Sequence, residues 1–136
     1  MIKILVDSSS ELTKKEAEEK GFLFVPISVN IGGREYLDGV DLTKDKFYEL
    51  LVNGGEFPQT SQPSPQAFLE LFEQAKKNGD EVVAILLSSA LSGTYQSAVL
   101  AKQMVDYEGI YLIDSLTATG VIQILADYAQ ELIEKG

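Results

Sequence analysis

Three short apolar runs constrain what this chain can fold into. They cover residues 2–6, 82–87 and 110–113, and each is nearly continuous rather than alternating. A strand apolar on both faces must be covered on both, which is the pattern of a central parallel sheet. Each run also stops abruptly in small polar groups, at Asp7-Ser8-Ser9, Ser88-Ser89 and Asp114-Ser115.

Between the runs the spacing turns helical. Thr13 and Glu16 form a capping box for a helix over 14–20, with Leu12 and Ala17 as its staple and Gly21 as its stop. Phe22-Leu23-Phe24-Val25 reads as a second strand, interrupted by Pro26. Ile27, Val29 and Ile31 then alternate with Ser28 and Asn30, and Gly32-Gly33 turns the chain into a return strand over 34–37. Thr43 caps a helix carrying Phe47, Leu50 and Leu51, stopped by Asn53-Gly54-Gly55. Residues 56–63 read as a loop. Ser64 and Pro65 open a helix whose Phe68, Leu71, Phe72 and Ala75 make one apolar face. A helix over 93–107 follows the second run. A last helix, over 117–134, is apolar around most of its girth, which predicts burial on several sides and an absent partner surface.

Strands alternating with helices predict an α/β fold. The expected architecture is a three-layer sandwich with a mostly parallel central sheet, right-handed crossovers and a small β-hairpin. The 136 residues suffice for one domain.

Composition narrows the chemistry. There is no histidine and no cysteine, so a Ser-His-Asp triad, a thiolate nucleophile and His- or Cys-ligated metal sites are excluded. The net charge of −10 disfavours nucleic acid and anionic bilayers as partners. No apolar run is long enough to span a membrane, and the first residues enter a strand pattern directly, which predicts a cytoplasmic protein.

In an open parallel sheet, ligands bind outside the carboxyl ends of the strands. The three polar clusters therefore define one expected crevice. Ser92-Gly93-Thr94 is its sharpest part. A helix N-terminus offers free N–H groups and the positive end of a dipole, a bare glycine permits close approach, and two hydroxyls add donors. That suits a carboxylate or phosphate. An ordinary N-cap by Ser92 is the competing reading, and on these residues alone the two stand even. Neither a Walker sequence nor Gly-x-Gly-x-x-Gly is present. The hydroxyls of 59–64 form a second cluster. Asp38, Asp41 and Asp45 read as turn and helix-start acids rather than cation ligands, and Tyr36, Tyr95 and Tyr111 as packing residues. An enzyme at the same crevice, using Asp7 and Asp114 as acid or base on an acidic or phosphorylated small molecule, is the alternative function.

The sequence resembles the N-terminal half of the DegV family of bacterial fatty-acid-binding proteins. The resemblance is carried by Val6-Asp7-Ser8-Ser9, Val25-Pro26-Ile27, Tyr36-Leu37-Asp38-Gly39-Val40-Asp41, Phe47-Tyr48-Glu49-Leu50, Thr60-Ser61-Gln62-Pro63-Ser64, Ser88-Ser89-Ala90-Leu91-Ser92-Gly93-Thr94-Tyr95-Gln96-Ser97-Ala98 and Ile113-Asp114-Ser115. Leu116-Thr117-Ala118-Thr119-Gly120 matches only loosely. The resemblance implies a two-domain α/β protein of which residues 1–136 form the first domain, with the second absent from this chain, as in a truncated copy. It implies a lipid-binding module that holds a long-chain fatty acid and presents it to a separate fatty acid kinase, being itself a carrier and not an enzyme. The carboxylate would meet Thr60 and Ser92, with Ser61 and Gly93 as neighbours. Thr94 and Ser8 complete the expected ligand-binding set. The apolar helix faces would supply the acyl tunnel. No catalytic residue, metal or cofactor beyond the bound acid is expected, and the last helix offers a surface for self-association.

Overall fold

The computed structural model describes residues 1–54, 57–117 and 119–136. Gly55, Glu56 and Ala118, expected in a helix stop, a loop and the last helix, lie outside the described residues. The chain begins with β1 (Ile2–Asp7), a 3-10 turn (Ser8–Ser10), α1 (Lys14–Glu19) and β2 (Leu23–Val25). It continues through β3 (Ser28–Ile31), β4 (Arg34–Leu37), α2 (Lys44–Gly54), β5 (Gln59–Ser61) and α3 (Pro65–Asn78). It ends with β6 (Glu81–Leu86), α4 (Thr94–Val105), β7 (Ile110–Asp114) and α5 (Gly120–Lys135).

The central sheet is parallel throughout, in the order β2-β1-β6-β7. Its continuous apolar strands are covered on both faces, as their pattern requires. Leu5, Val82, Ala84, Leu86 and Ile110 face α3 and α4, where Phe68, Phe72, Ala98, Ala101 and Val105 meet them. Ile4, Val6 and Ile85 face the other way, against Ala17 of α1 and Ile122 and Ala126 of α5. This is the expected three-layer α/β sandwich. The apolar faces of α3 and α4 pack against the sheet.

Local signals explain the element boundaries. Thr13 Oγ1 accepts the Glu16 N–H at 3.1 Å, and Glu16 Oε1 accepts the Thr13 N–H at 3.2 Å, closing the capping box of α1. Ser64 Oγ accepts from Ala67 N–H at 3.3 Å at the start of α3.

Two elements differ from the sequence reading. The segment read as a loop contains β5, which pairs antiparallel with β3 and turns the hairpin into a three-stranded sheet, β4-β3-β5. With three residues, β5 is too short to show a period of two, and the ladder to β3 creates it. The last helix starts at Gly120 rather than 117. Residues 115–117 are held instead in a turn, where Ser115 Oγ donates to the Thr117 carbonyl at 3.1 Å and Thr117 N–H donates back to Ser115 Oγ at 3.3 Å.

The wide apolar girth of α5 is buried on one side only. Ile122 and Ala126 are fully enclosed, while Val121, Ile124, Leu125, Tyr128 and Leu132 form an exposed stripe, with Ile124 67% and Tyr128 59% accessible. Burial on several sides is therefore not found within this chain. Among the described residues no helix is long and apolar enough to cross a membrane.

Candidate ligand-binding site

The sheet order brings the three polar strand ends side by side, because β1, β6 and β7 are neighbours. Their polar groups are largely spent on each other. Three successive N–H groups after β6 donate first to β1 and then to the turn after β7 and to the end of β7 itself. Leu87 N–H reaches Asp7 Oδ2 at 2.8 Å, Ser88 N–H reaches the Thr117 carbonyl at 2.9 Å, and Ser89 N–H reaches Asp114 Oδ1 at 3.2 Å. The Ser89 hydroxyl donates to Asp114 Oδ2, and Leu116 N–H to Asp114 Oδ1 at 3.0 Å. The clusters read as one crevice thus act first as stitching that fixes the turn over 88–92.

The two acids differ in environment. Asp7 is fully buried, and burial pushes its carboxyl up despite bonds from Leu87 and Ser9 that pull it down. Asp114 is half-buried, and the Ser89 hydroxyl, with the Leu116 and Ser89 N–H groups, holds its carboxyl below the usual range. Both carboxylates are occupied as acceptors from backbone N–H groups, which leaves little for acid–base work. Among the described residues no group of three His, Cys, Asp or Glu side chains could hold a metal ion.

Past the stitched turn, the start of α4 is less committed. Its N-cap residue is Gly93, without a side-chain cap, so the even contest over Ser92 is not resolved as a simple N-cap. Ser92 Oγ accepts the Thr94 N–H at 3.2 Å and pairs with Thr94 Oγ1 at 2.9 Å. With Thr94 donating in that pair, the Ser92 oxygen is used as acceptor and its own proton is left to give. That is the arrangement an anion needs. Thr94 itself is fully buried, with its hydroxyl against that of Ser92.

Thr60 and Ser61 stand exposed on β5, opposite Val29 and Ser28, and their hydroxyls have no protein partner among the described residues. Gln62, just beyond the strand, joins the two halves of the site. Its carboxamide lies over Gly93, so that a Cβ at that position would overlap Oε1 and stand 2.6 Å from Cδ and 2.8 Å from Nε2.

Ser8 lies apart from this pair. It is buried, accepts the Ile27 N–H at 2.9 Å and bonds the Asp38 carboxyl, whose pKa burial raises. Ser8 lines a cavity of about 550 Å³ with Leu12, Asp38 and Leu42. An adjoining cavity of about 400 Å³ shares Asp38 and Leu42 and extends to Val29, Phe47, Pro58 and Thr60. One groove thus runs from Ser8 to Thr60, while Ser92, Gly93 and Thr94 line neither part of it. Sequence reasoning gave Gln62 no role, although Gly93 signalled that something approaches closely.

The family model described as DegV matches residues 1–136. The chain belongs to the DegV family. It is 47% identical over 114 residues to a DegV domain-containing protein of Caldanaerobacter subterraneus, covering 84% of this chain and 40% of that one. A stearic-acid-binding protein from Eubacterium ventriosum superposes with a TM-score of 0.90 at 36% identity, over 100% of this chain and 48% of the other. A DegV protein from Thermus thermophilus, described for its fatty-acid binding, gives 0.89 at 33% identity, over 99% and 48%. This DegV chain therefore spans about half the length of the relatives it matches. The candidate segments named above, 59–64 and 88–98, both fall inside the matched region.

Proposed function

We propose that this chain is a lipid-binding module that holds the carboxylate of a long-chain fatty acid between Ser92 and Gly93 at the start of α4 and Thr60 on β5, with Ser61 beside it. The observation that carries the reading is the free donor capacity at two points that Gln62 links: an α4 N-terminus without a side-chain cap and the unpartnered Thr60 and Ser61 hydroxyls. The dipole at such a terminus contributes roughly 0.3–2 kcal/mol toward a negative charge. Solved relatives of the same fold are described as fatty-acid-binding, which supports naming the anion. Thr60 also stands at the apolar end of the groove, so an acyl chain leaving it meets Val29, Phe47 and Pro58. The bound acid is presented to a separate fatty acid kinase in the cytoplasm, and this chain is a carrier rather than the catalyst.

Native mass spectrometry of protein purified from cells tests the reading. A co-purifying long-chain acid, lost or weakened in Ser92→Ala while the fold survives, is expected. Absence of any acid, even after incubation with hexadecanoate, refutes it.

The exposed stripe of α5 favours a further role for that helix as an association surface, through which copies of this chain pair. Five large apolar side chains on one exposed face exceed the scattered singles of an ordinary surface.

A further inference from the structure

The two donor groups of the proposed site sit on different elements. Thr60 belongs to the small antiparallel sheet, and Ser92 belongs to the turn after β6. Nothing in the ladder of either sheet fixes one against the other. Gln62 does. Its exposed side chain crosses to α4 and lays its carboxamide on the bare Cα of Gly93. The next residue, Pro63, is buried, and Ser64 caps α3, so the backbone that carries Gln62 is anchored immediately behind it.

We propose that Gln62 is a positioning residue whose carboxamide, seated on Gly93, latches β5 to the start of α4 and so sets the spacing of the Thr60 and Ser92 hydroxyls. Gly93 is required at this point for room rather than for backbone freedom. Its φ of −79° is open to any residue. The three atoms a methyl group there meets first all belong to the flexible end of Gln62, so the domain keeps its fold and the carboxamide is displaced. The latch is thus a contact that either partner can break. It rests on the carboxylate reading for its functional half and on the Gln62–Gly93 contact alone for its structural half.

A double-mutant cycle of Gly93→Ala and Gln62→Ala in the full chain tests it. Two quantities are read, the affinity for hexadecanoate by calorimetry and the hydrogen-exchange protection of the β5 amides without ligand. Each single variant is expected to weaken hexadecanoate binding by about threefold to tenfold, as for coupled neighbours in contact. Protection over 59–61 falls in both. The double variant is no worse than Gln62→Ala, because the alanine methyl has nothing left to displace.

Additive losses in affinity overturn the latch, as does a wild-type affinity in both single variants. If the unsubstituted chain itself fails to bind hexadecanoate, the carboxylate reading falls and protection alone decides the structural half. Non-additive loss over 59–61 then sustains the latch, and unchanged protection overturns it.

Discussion

Asp7→Asn is the most informative single change, because it keeps shape and volume while removing the charge that ties β1 to the functional turn. Asp7 Oδ1 accepts the Ser9 N–H at 2.8 Å and the Ser9 hydroxyl, and Oδ2 accepts the Leu87 N–H at 2.8 Å. An asparagine has one acceptor oxygen. Whichever way it turns, its NH2 group faces a buried N–H donor and leaves it unpaired. A bond to a charged group is worth about 1.5–3 kcal/mol, and an orphaned buried donor costs about 1–3 kcal/mol. Relief from burying a charge offsets part of this. The expected loss at neutral pH is about 2–3 kcal/mol, or roughly 1 M in the midpoint of urea unfolding.

The pH dependence separates burial from hydrogen bonding. Burial raises the folded Asp7 carboxyl above its ordinary 3.8. The folded state then binds more protons than the unfolded chain between that value and the raised one. Wild-type stability from this group is full below about 3.8 and is lost as pH rises through the folded value. Asparagine lacks the term. The gap between wild type and Asp7→Asn should therefore be wider near pH 4 than at pH 7, by urea melts followed by circular dichroism. Both proteins carry nearly the same general charge repulsion, so it cancels in the difference. The comparison belongs in an Asp38→Asn background, because the Asp7 charge also helps to raise the Asp38 carboxyl. A gap that narrows on acidification refutes the reasoning and places the Asp7 carboxyl below its ordinary range.

Two further substitutions probe the groove and the outer helix. Gly39→Ala should destabilise by more than 1 kcal/mol in thermal melts, since its φ is +76° and a Cβ would stand 3.1 Å from Phe24 Cζ and 3.2 Å from the Leu12 carbonyl oxygen. Ile124→Lys should leave stability within about 0.5 kcal/mol, because the side chain is exposed, yet abolish any concentration-dependent dimer in sedimentation.

The sheet was legible because its signal is redundant. Runs such as Val82-Val83-Ala84-Ile85-Leu86 announce strands buried on both faces, and Thr13 with Glu16 announces a helix start from two residues alone. The strand β5 was not legible. Gln59-Thr60-Ser61 is polar at every position, and only the distant β3 makes it a strand. The meaning of the acidic strand ends was also half hidden. Asp7 and Asp114 looked like groups facing a ligand, and turn out to hold the N–H groups of residues 87 and 89. Spacing within the chain cannot reveal which strand lies beside which, and that order decides whether a carboxylate meets a ligand or a neighbour. In the site the same limit applied. Ser92 and Gly93 could be read from a local pattern, but the contact that joins them to β5 spans thirty-one residues between Gln62 and Gly93.

The donors of the proposed site are all neutral, and that has a measurable consequence. No lysine or arginine occurs in 59–64 or 88–96, and the chain as a whole carries −10. A carboxylate approaching Ser92 and Thr60 thus gains from hydroxyls and a helix terminus at short range, while the summed charge of the protein repels it at long range. Salt screens the long-range part, with a Debye length of about 10 Å at 0.1 M, and leaves short hydrogen bonds almost untouched. Hexadecanoate binding should hold steady or tighten as salt rises from about 20 to about 200 mM, against a correction for the acid's own micellisation. A site built on lysine or arginine would weaken instead. Marked weakening with salt would show that a cationic side chain elsewhere in the chain grips the head group, and would move the carboxylate away from Ser92.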